Sequence, residues 1–171
     1  MRGMMCVGSL FEVVKANWEA KLIDIQRRMI EAVTQLKEEQ LNWRPNEESN
    51  SIANLIVHIE GNIHQRIEAT VLGGVDRRDR DGEFENGVHL SSEELLQRFN
   101  NSFDLLMRTV STLREDRLLE TVQVRDRQVT VFDVVNGCAT HFSEHLGQVL
   151  YLAKIQLGER YKTTSIPKKK S

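Results

Sequence analysis

Apolar side chains recur at Phe11, Val14, Trp18, Leu22, Ile25, Met29, Ala32 and Leu36. Their mean spacing of about 3.6 residues matches one face of an α-helix. The pattern predicts one long amphipathic helix that runs to about Asn42, because Pro45 disfavours helical geometry at Arg44. A second stripe, Ile52, Leu55/Ile56, Ile59, Ile63, Ile67 and Val71, follows a polar stretch rich in N-cap residues and stops at Gly73-Gly74. Residues 75–90 carry high charge and little periodicity and read as a loop. Ser91 and Glu94 form a capping-box pair ahead of a third stripe, Leu95, Phe99, Phe103, Leu106, Val110 and Leu113. Val122, Val124, Val129 and Val131 then alternate with polar residues around Asp126-Arg127, the pattern of a short hairpin or extended crossover. Thr130 and Asp133 can cap a last helix that carries Cys138, Phe142, Val149 and Leu152 and ends at Gly158.

Four amphipathic helices joined by long connections predict an all-α protein, a four-helix bundle with at least one crossover. Composition agrees, since ten Gly and two Pro make up about 7% of the 171 residues, where about 12% is usual. This length suits one domain, expected to span residues 1–160, with residues 161–171 as a flexible Lys-rich tail. A net charge of -2 with no basic stripe argues against nucleic acid as a partner. No apolar run reaches the ~18 residues of a membrane helix, and the segment Met1 to Phe11 is too interrupted for a signal-peptide core. The two cysteines, Cys6 and Cys138, lack CxxC partners and fit a reducing compartment, so a cytoplasmic protein is expected.

Candidate chemistry concentrates on histidines. His141 and His145 are four residues apart on the last helix, so they share one face, and His145 falls within the apolar stripe. His58, Asn62 and Arg66 form a polar line along one edge of the isoleucine stripe. Two facing helices can thus bring three imidazoles to one level of the interior. Neutral imidazoles are borderline-soft ligands suited to a divalent transition metal, and three of them leave a position open. A histidine facing the core is also a common hydrogen-bonded packing residue, so spacing alone leaves both readings open. His64 and His89 read as surface residues, and Trp18 and Trp43 as packing residues. The run His141-Phe-Ser-Glu144-His145 formally matches the HxxEH signature of inverzincin metalloproteases. Only 26 residues follow it, and Glu144 projects to another side of the helix, so Glu144 reads as a solvated residue.

The run His141 to Lys154, with His145-Leu-Gly-Gln148 within it, resembles the HxxxHxGQ signature in the last helix of the DinB/YfiT-like metalloenzyme superfamily. The segment Val57-His58-Ile-Glu-Gly-Asn62-Ile-His-Gln-Arg66 resembles that family's second helix, with His58 at its first ligand position. The stretch Arg78-Asp-Arg80-Asp81-Gly-Glu83-Phe84-Glu85 is similar to the RxRDxEFE loop of one branch. Together the matches span about residues 10–157, with Ile67 standing where an aromatic residue often follows the arginine.

The resemblance implies an up-down-down-up bundle, of a kind that often dimerises, in which His58, His141 and His145 bind nickel or zinc. It further implies a thiol- or water-activating S-transferase or hydrolase acting on a small-molecule substrate. Asn62, Arg66 and Gln148 would line the approach to the metal, and Arg66, or Arg78 and Arg80, would hold an anionic group. The other role open to Arg66 is an ion pair with Asp81. The competing functional reading is a non-catalytic, metal-containing stress or regulatory protein built as a dimeric helical module.

Overall fold

A computed structural model describes residues 8–85 and 87–167. Cys6, the first seven residues of the Met1–Phe11 segment and the Lys168–Lys170 run lie outside them. The chain is mostly helical, with one small two-stranded sheet. Helix α1 spans Leu10–Val33, α2 Glu38–Leu41, α3 Ile52–Ile63, α4 Ser92–Thr112 and α5 Val131–Leu157. Strands β1 (Thr121–Val124) and β2 (Arg127–Thr130) pair antiparallel immediately before α5, as the valine alternation predicts.

The first helix is shorter than the apolar stripe implies. Thr34 returns its Oγ1 hydrogen to the Ile30 carbonyl, and Gln35 and Leu36 donate to carbonyls only three residues back, which tightens and ends the helix. Lys37 is extended and starts α2. Leu36 and Leu41 nevertheless stay buried, so the apolar phase continues across the break that divides the helix.

Three other helices begin where the capping signals lie. Ser51 and Asn54 cap α3, Ser91 and Glu94 cap α4, and Thr130 and Asp133 cap α5, each side chain bonding back to the other's backbone. After Ile63 the second stripe continues not as α-helix but as a π-helical segment, His64–Val71, where the Leu72 N–H reaches five residues back to Ile67. Gly73, at φ 76, then reverses the chain.

Helices α1 and α3 each pack against both α4 and α5, so the four long helices surround one core. Leu22, Ile25, Met29, Ile59, Ile63, Phe99, Phe103, Leu106 and Phe142 are fully buried there. Burial on this scale, at roughly 25 cal/mol per Å² of apolar surface, is the main term that holds the helices together. The loop between α3 and α4 folds back over α3 through a 3₁₀ turn at Gly82–Phe84. Beyond Arg160 the chain runs back to α1, where Thr164 is buried and Arg27 and Arg28 reach it, so the packed part of the chain extends past residue 160.

Candidate metal centre

Helix α5 supplies His141 and His145 one turn apart, and the packing of α3 on α5 brings His58 against them. The His141 Nε2 lies 3.0 Å from His58 Nε2 and 3.1 Å from His145 Nε2. The potential ligand atoms of the three residues all fall within 4.8 Å of one another. His58 is buried, whereas His141 and His145 are only half-buried.

The outward nitrogens determine what the inward ones can do. His58 Nδ1 donates to Glu83 Oε2 at 2.8 Å, and His145 Nδ1 donates to Gln148 Oε1 at 2.7 Å. With those protons outside, the Nε2 atoms of His58 and His145 carry lone pairs that point at His141. One proton on His141 can satisfy only one of them. Three nitrogens around one tetrahedral ion at ~2.0 to 2.1 Å would sit about 3.3 Å apart, close to the two distances measured from His141 Nε2, 3.0 and 3.1 Å. The donor set therefore fits a divalent transition metal better than it fits an internal hydrogen-bond chain.

A second layer holds this arrangement. Glu83 is buried, and Arg78 bonds both its oxygens, Nε to Oε1 at 2.6 Å and Nη2 to Oε2 at 2.8 Å. Arg78 Nη2 also lies 3.2 Å from His58 Nδ1, but a protonated Nδ1 has no lone pair to offer, so the guanidinium proton goes to Glu83. Gly61 makes room for the pair, because a Cβ there would overlap Glu83 Oε1. Carboxylate–histidine pairs of this kind orient metal-binding imidazoles and raise their basicity.

Charge in the cluster is set mainly by burial. Desolvation first, and then the His145, His58 and Arg66 charges, together lower His141 from its ordinary 6.5 to about 4. His145 is lowered too, chiefly by burial, against the opposing hydrogen bond to Gln148. For Glu83, burial pushes upward, but bonding to Arg78 and His58 outweighs it and the carboxyl titrates below its ordinary range. Near neutral pH His141 and His145 are thus neutral, the protonation state that metal binding requires of an imidazole.

The other residues marked by the sequence are distributed unevenly. Gln148 touches His145. Asn62 is buried one turn beyond His58, and its Oδ1 has no hydrogen-bond partner among the described residues. Arg78 is turned inward onto Glu83 and so holds a carboxylate of the protein itself. Arg80 is exposed and lies over the Phe84 ring, which packs on His58. The expected pair between Arg66 and Asp81 is not formed. Asp81 is almost fully exposed and lies 3.8 Å from Arg80, while Arg66 rests against α5 at Gly137. Glu144 is exposed, with its Oε2 3.7 Å from His141 Nδ1, and His64 and His89 are surface residues. Trp18 is buried and donates to Asn136, but Trp43 is 38% exposed. Sequence reasoning gave Glu83 no role, although it stands within the quoted loop motif, because nothing local shows which residue 25 positions away it meets.

Residues 13–170 match the family described as "Protein of unknown function (DUF1572)", and the chain belongs to that family, which is DinB/YfiT-like. A solved structure, the conserved protein of locus from Enterococcus faecalis, is similar with a TM-score of 0.73 at 16% identity. The similarity covers 85% of this chain and 98% of that one, a likeness of fold. No curated protein matches the sequence. Among the described residues, no helix is long and apolar enough to cross a membrane.

Proposed function

We propose that this protein is a metal-dependent enzyme in an up-down-down-up four-helix bundle, with His58, His141 and His145 holding one nickel or zinc ion through their Nε2 atoms. The observation that carries the reading is the convergence of the three Nε2 atoms while Glu83 and Gln148 take the outward protons of His58 and His145. Three protein ligands rather than four match catalytic sites, which keep a position free. An ion bound there supplies Lewis acidity, lowering the pKa of a water or thiol so that it is a nucleophile at neutral pH.

The chain's own residues prepare that centre. Glu83 orients the His58 ring and holds its Nδ1 proton, and Arg78 keeps Glu83 ionised. Gln148 does the same for His145 from a neutral oxygen, without adding charge. His141 and His145 are only half-buried, and on this reading a small molecule reaches the centre past them. The reaction class is S-transfer or hydrolysis on a small, thiol-bearing substrate, carried out by a cytoplasmic homodimer.

The test is spectroscopic. Cobalt-loaded protein should show a visible spectrum that shifts saturably on addition of 2-mercaptoethanol, which reports an exchangeable position. Bound cobalt whose spectrum ignored the thiol would exclude the open site and favour a purely structural or regulatory metal.

A further inference from the structure

Glu83 can orient His58 only if the loop that carries it is held in place, and two side chains outside the histidine cluster hold it. The loop folds over α3 at Glu83, Phe84 and Glu85, and the three successive carbonyls there are all taken up by Arg44 and Asn54. Asn54 Nδ2 donates to Glu83 O at 2.9 Å and to Glu85 O at 3.2 Å. Arg44 Nη2 faces Phe84 O, Glu85 O at 3.0 Å and Asn54 Oδ1 at 3.0 Å, so its two protons serve three acceptors.

Asn54 is buried, 1% exposed, and its Oδ1 also accepts from Ser51 in the cap of α3. It stands four residues before His58, so the two share one face of a single helix. The group that grips the loop and the imidazole that the loop serves are thereby fixed to the same rigid element. Arg44 comes from the connection between α2 and α3, beside Pro45, and every acceptor it meets among the described residues is a neutral oxygen. Bonds from a charged donor are roughly twice as strong as neutral ones, so this guanidinium ties the loop firmly to the bundle. The Arg78 fork cannot replace that tie. Arg78 and Glu83 belong to the same loop, and Arg78 donates to the helical segments at Gln65 alone among the described residues.

We propose that Arg44 and Asn54 are positioning residues for the metal centre. By fixing the carbonyls of residues 83–85 they set the Glu83 carboxylate against His58 Nδ1 and the Phe84 ring against the imidazole. The inference rests on the metal-dependent reading above and identifies what sets the affinity of that site. With the clamp released, Glu83 no longer holds the His58 proton on Nδ1, and the tautomer with its proton on Nε2 has no lone pair there for an ion.

The experiment measures cobalt affinity by competition with a chromophoric chelator, on variants whose folding is checked by circular dichroism. Asn42 exchanges two hydrogen bonds with Leu90, so the loop stays attached to the bundle when Arg44 is replaced. Arg44→Gln should lower the affinity roughly tenfold, the lower end of the range for disturbing the partner of a ligating histidine. Arg44→Lys, which keeps the charge without the planar fork, should recover part of that loss. Asn54→Asp keeps the oxygen that Ser51 uses in the cap but loses both donors to the loop, so it should lower the affinity as well. In the Glu83→Gln background, Arg44→Gln should cost no more than about twofold further, because both changes act through one carboxylate. A merely structural arginine would lower the melting temperature and leave the affinity of the folded protein unchanged. That result, or full additivity with Glu83→Gln, would overturn the proposal. Wild-type protein that bound no cobalt would overturn the metal reading and this inference with it, whereas tight binding unaltered by Arg44→Gln and Asn54→Asp would overturn this inference alone.

Discussion

Glu83 joins two problems at the residue scale, a buried charge and a ligand's tautomer. It lies under the loop with Arg78 bonded to both oxygens, so removing its charge strands a guanidinium in the interior. Breaking one side of a buried pair costs about 3–5 kcal/mol, and losing the carboxylate behind a ligating histidine lowers metal affinity roughly 10- to 100-fold. Glu83→Gln is therefore expected to reduce both melting temperature and metal affinity, measured by calorimetry and competitive chelation. Gly61→Ala should act through the same contact, because its methyl group displaces Glu83 from His58. An unchanged affinity in both variants would separate the carboxylate from the metal site. The histidines were legible at this scale because helical periodicity sets their faces. Glu83 was not, because it reaches His58 through a loop whose path depends on Arg78 and Gly61 together.

Periodicity carries most of the information at the scale of the elements, and its failures are instructive. Leu36 and Leu41 stay in phase with the core, so the stripe runs unbroken across residues 34–37 while the backbone does not. The break comes from Thr34 and Gln35 bonding back onto the last turn, an interaction with no hydrophobic signature. The π-helical segment was equally invisible, since Ile67 and Val71 still reach the core. Capping signals proved more decisive. Helix α5 carries two of the three clustered histidines, and its start depends on Thr130 and Asp133. Thr130→Ala should cost about 1 kcal/mol and lower the melting temperature by roughly 2–4 °C. The metal content should not change, because His141 lies three turns further on. A large loss of metal in that variant would mean that the hairpin junction, not the helix packing, holds the site in register.

One core involves all four long helices, so the fold is expected to form without an ion. Chelated protein is expected to keep its helical circular dichroism and a cooperative melt. Binding only to the folded state adds about 2.7 kcal/mol at one hundred times the dissociation constant, so chelation should lower the melting temperature by several degrees. The metal-free protein should also lose stability in acid. His141 is held at about 4 when folded, against 6.5 in the unfolded chain, so the unfolded state takes up the proton first as pH falls. That contribution is complete above about pH 6.5 and disappears between there and about 4. Glu83, whose carboxyl is depressed, acts in the same direction at lower pH. A melting temperature that held steady from pH 7 to 4 would show that His141 is not shielded as the structure has it.

The most direct measurement of the central claim is elemental analysis of the purified protein and its histidine variants after equilibration with nickel or zinc. The account expects one divalent ion per chain in the wild type, in His64→Ala and in His89→Ala. It expects content to fall sharply in His58→Ala, His141→Ala and His145→Ala, each still folded by circular dichroism. Full occupancy in folded His58→Ala would contradict it, because the ion would then be held without the residue that joins α3 to α5 at the site.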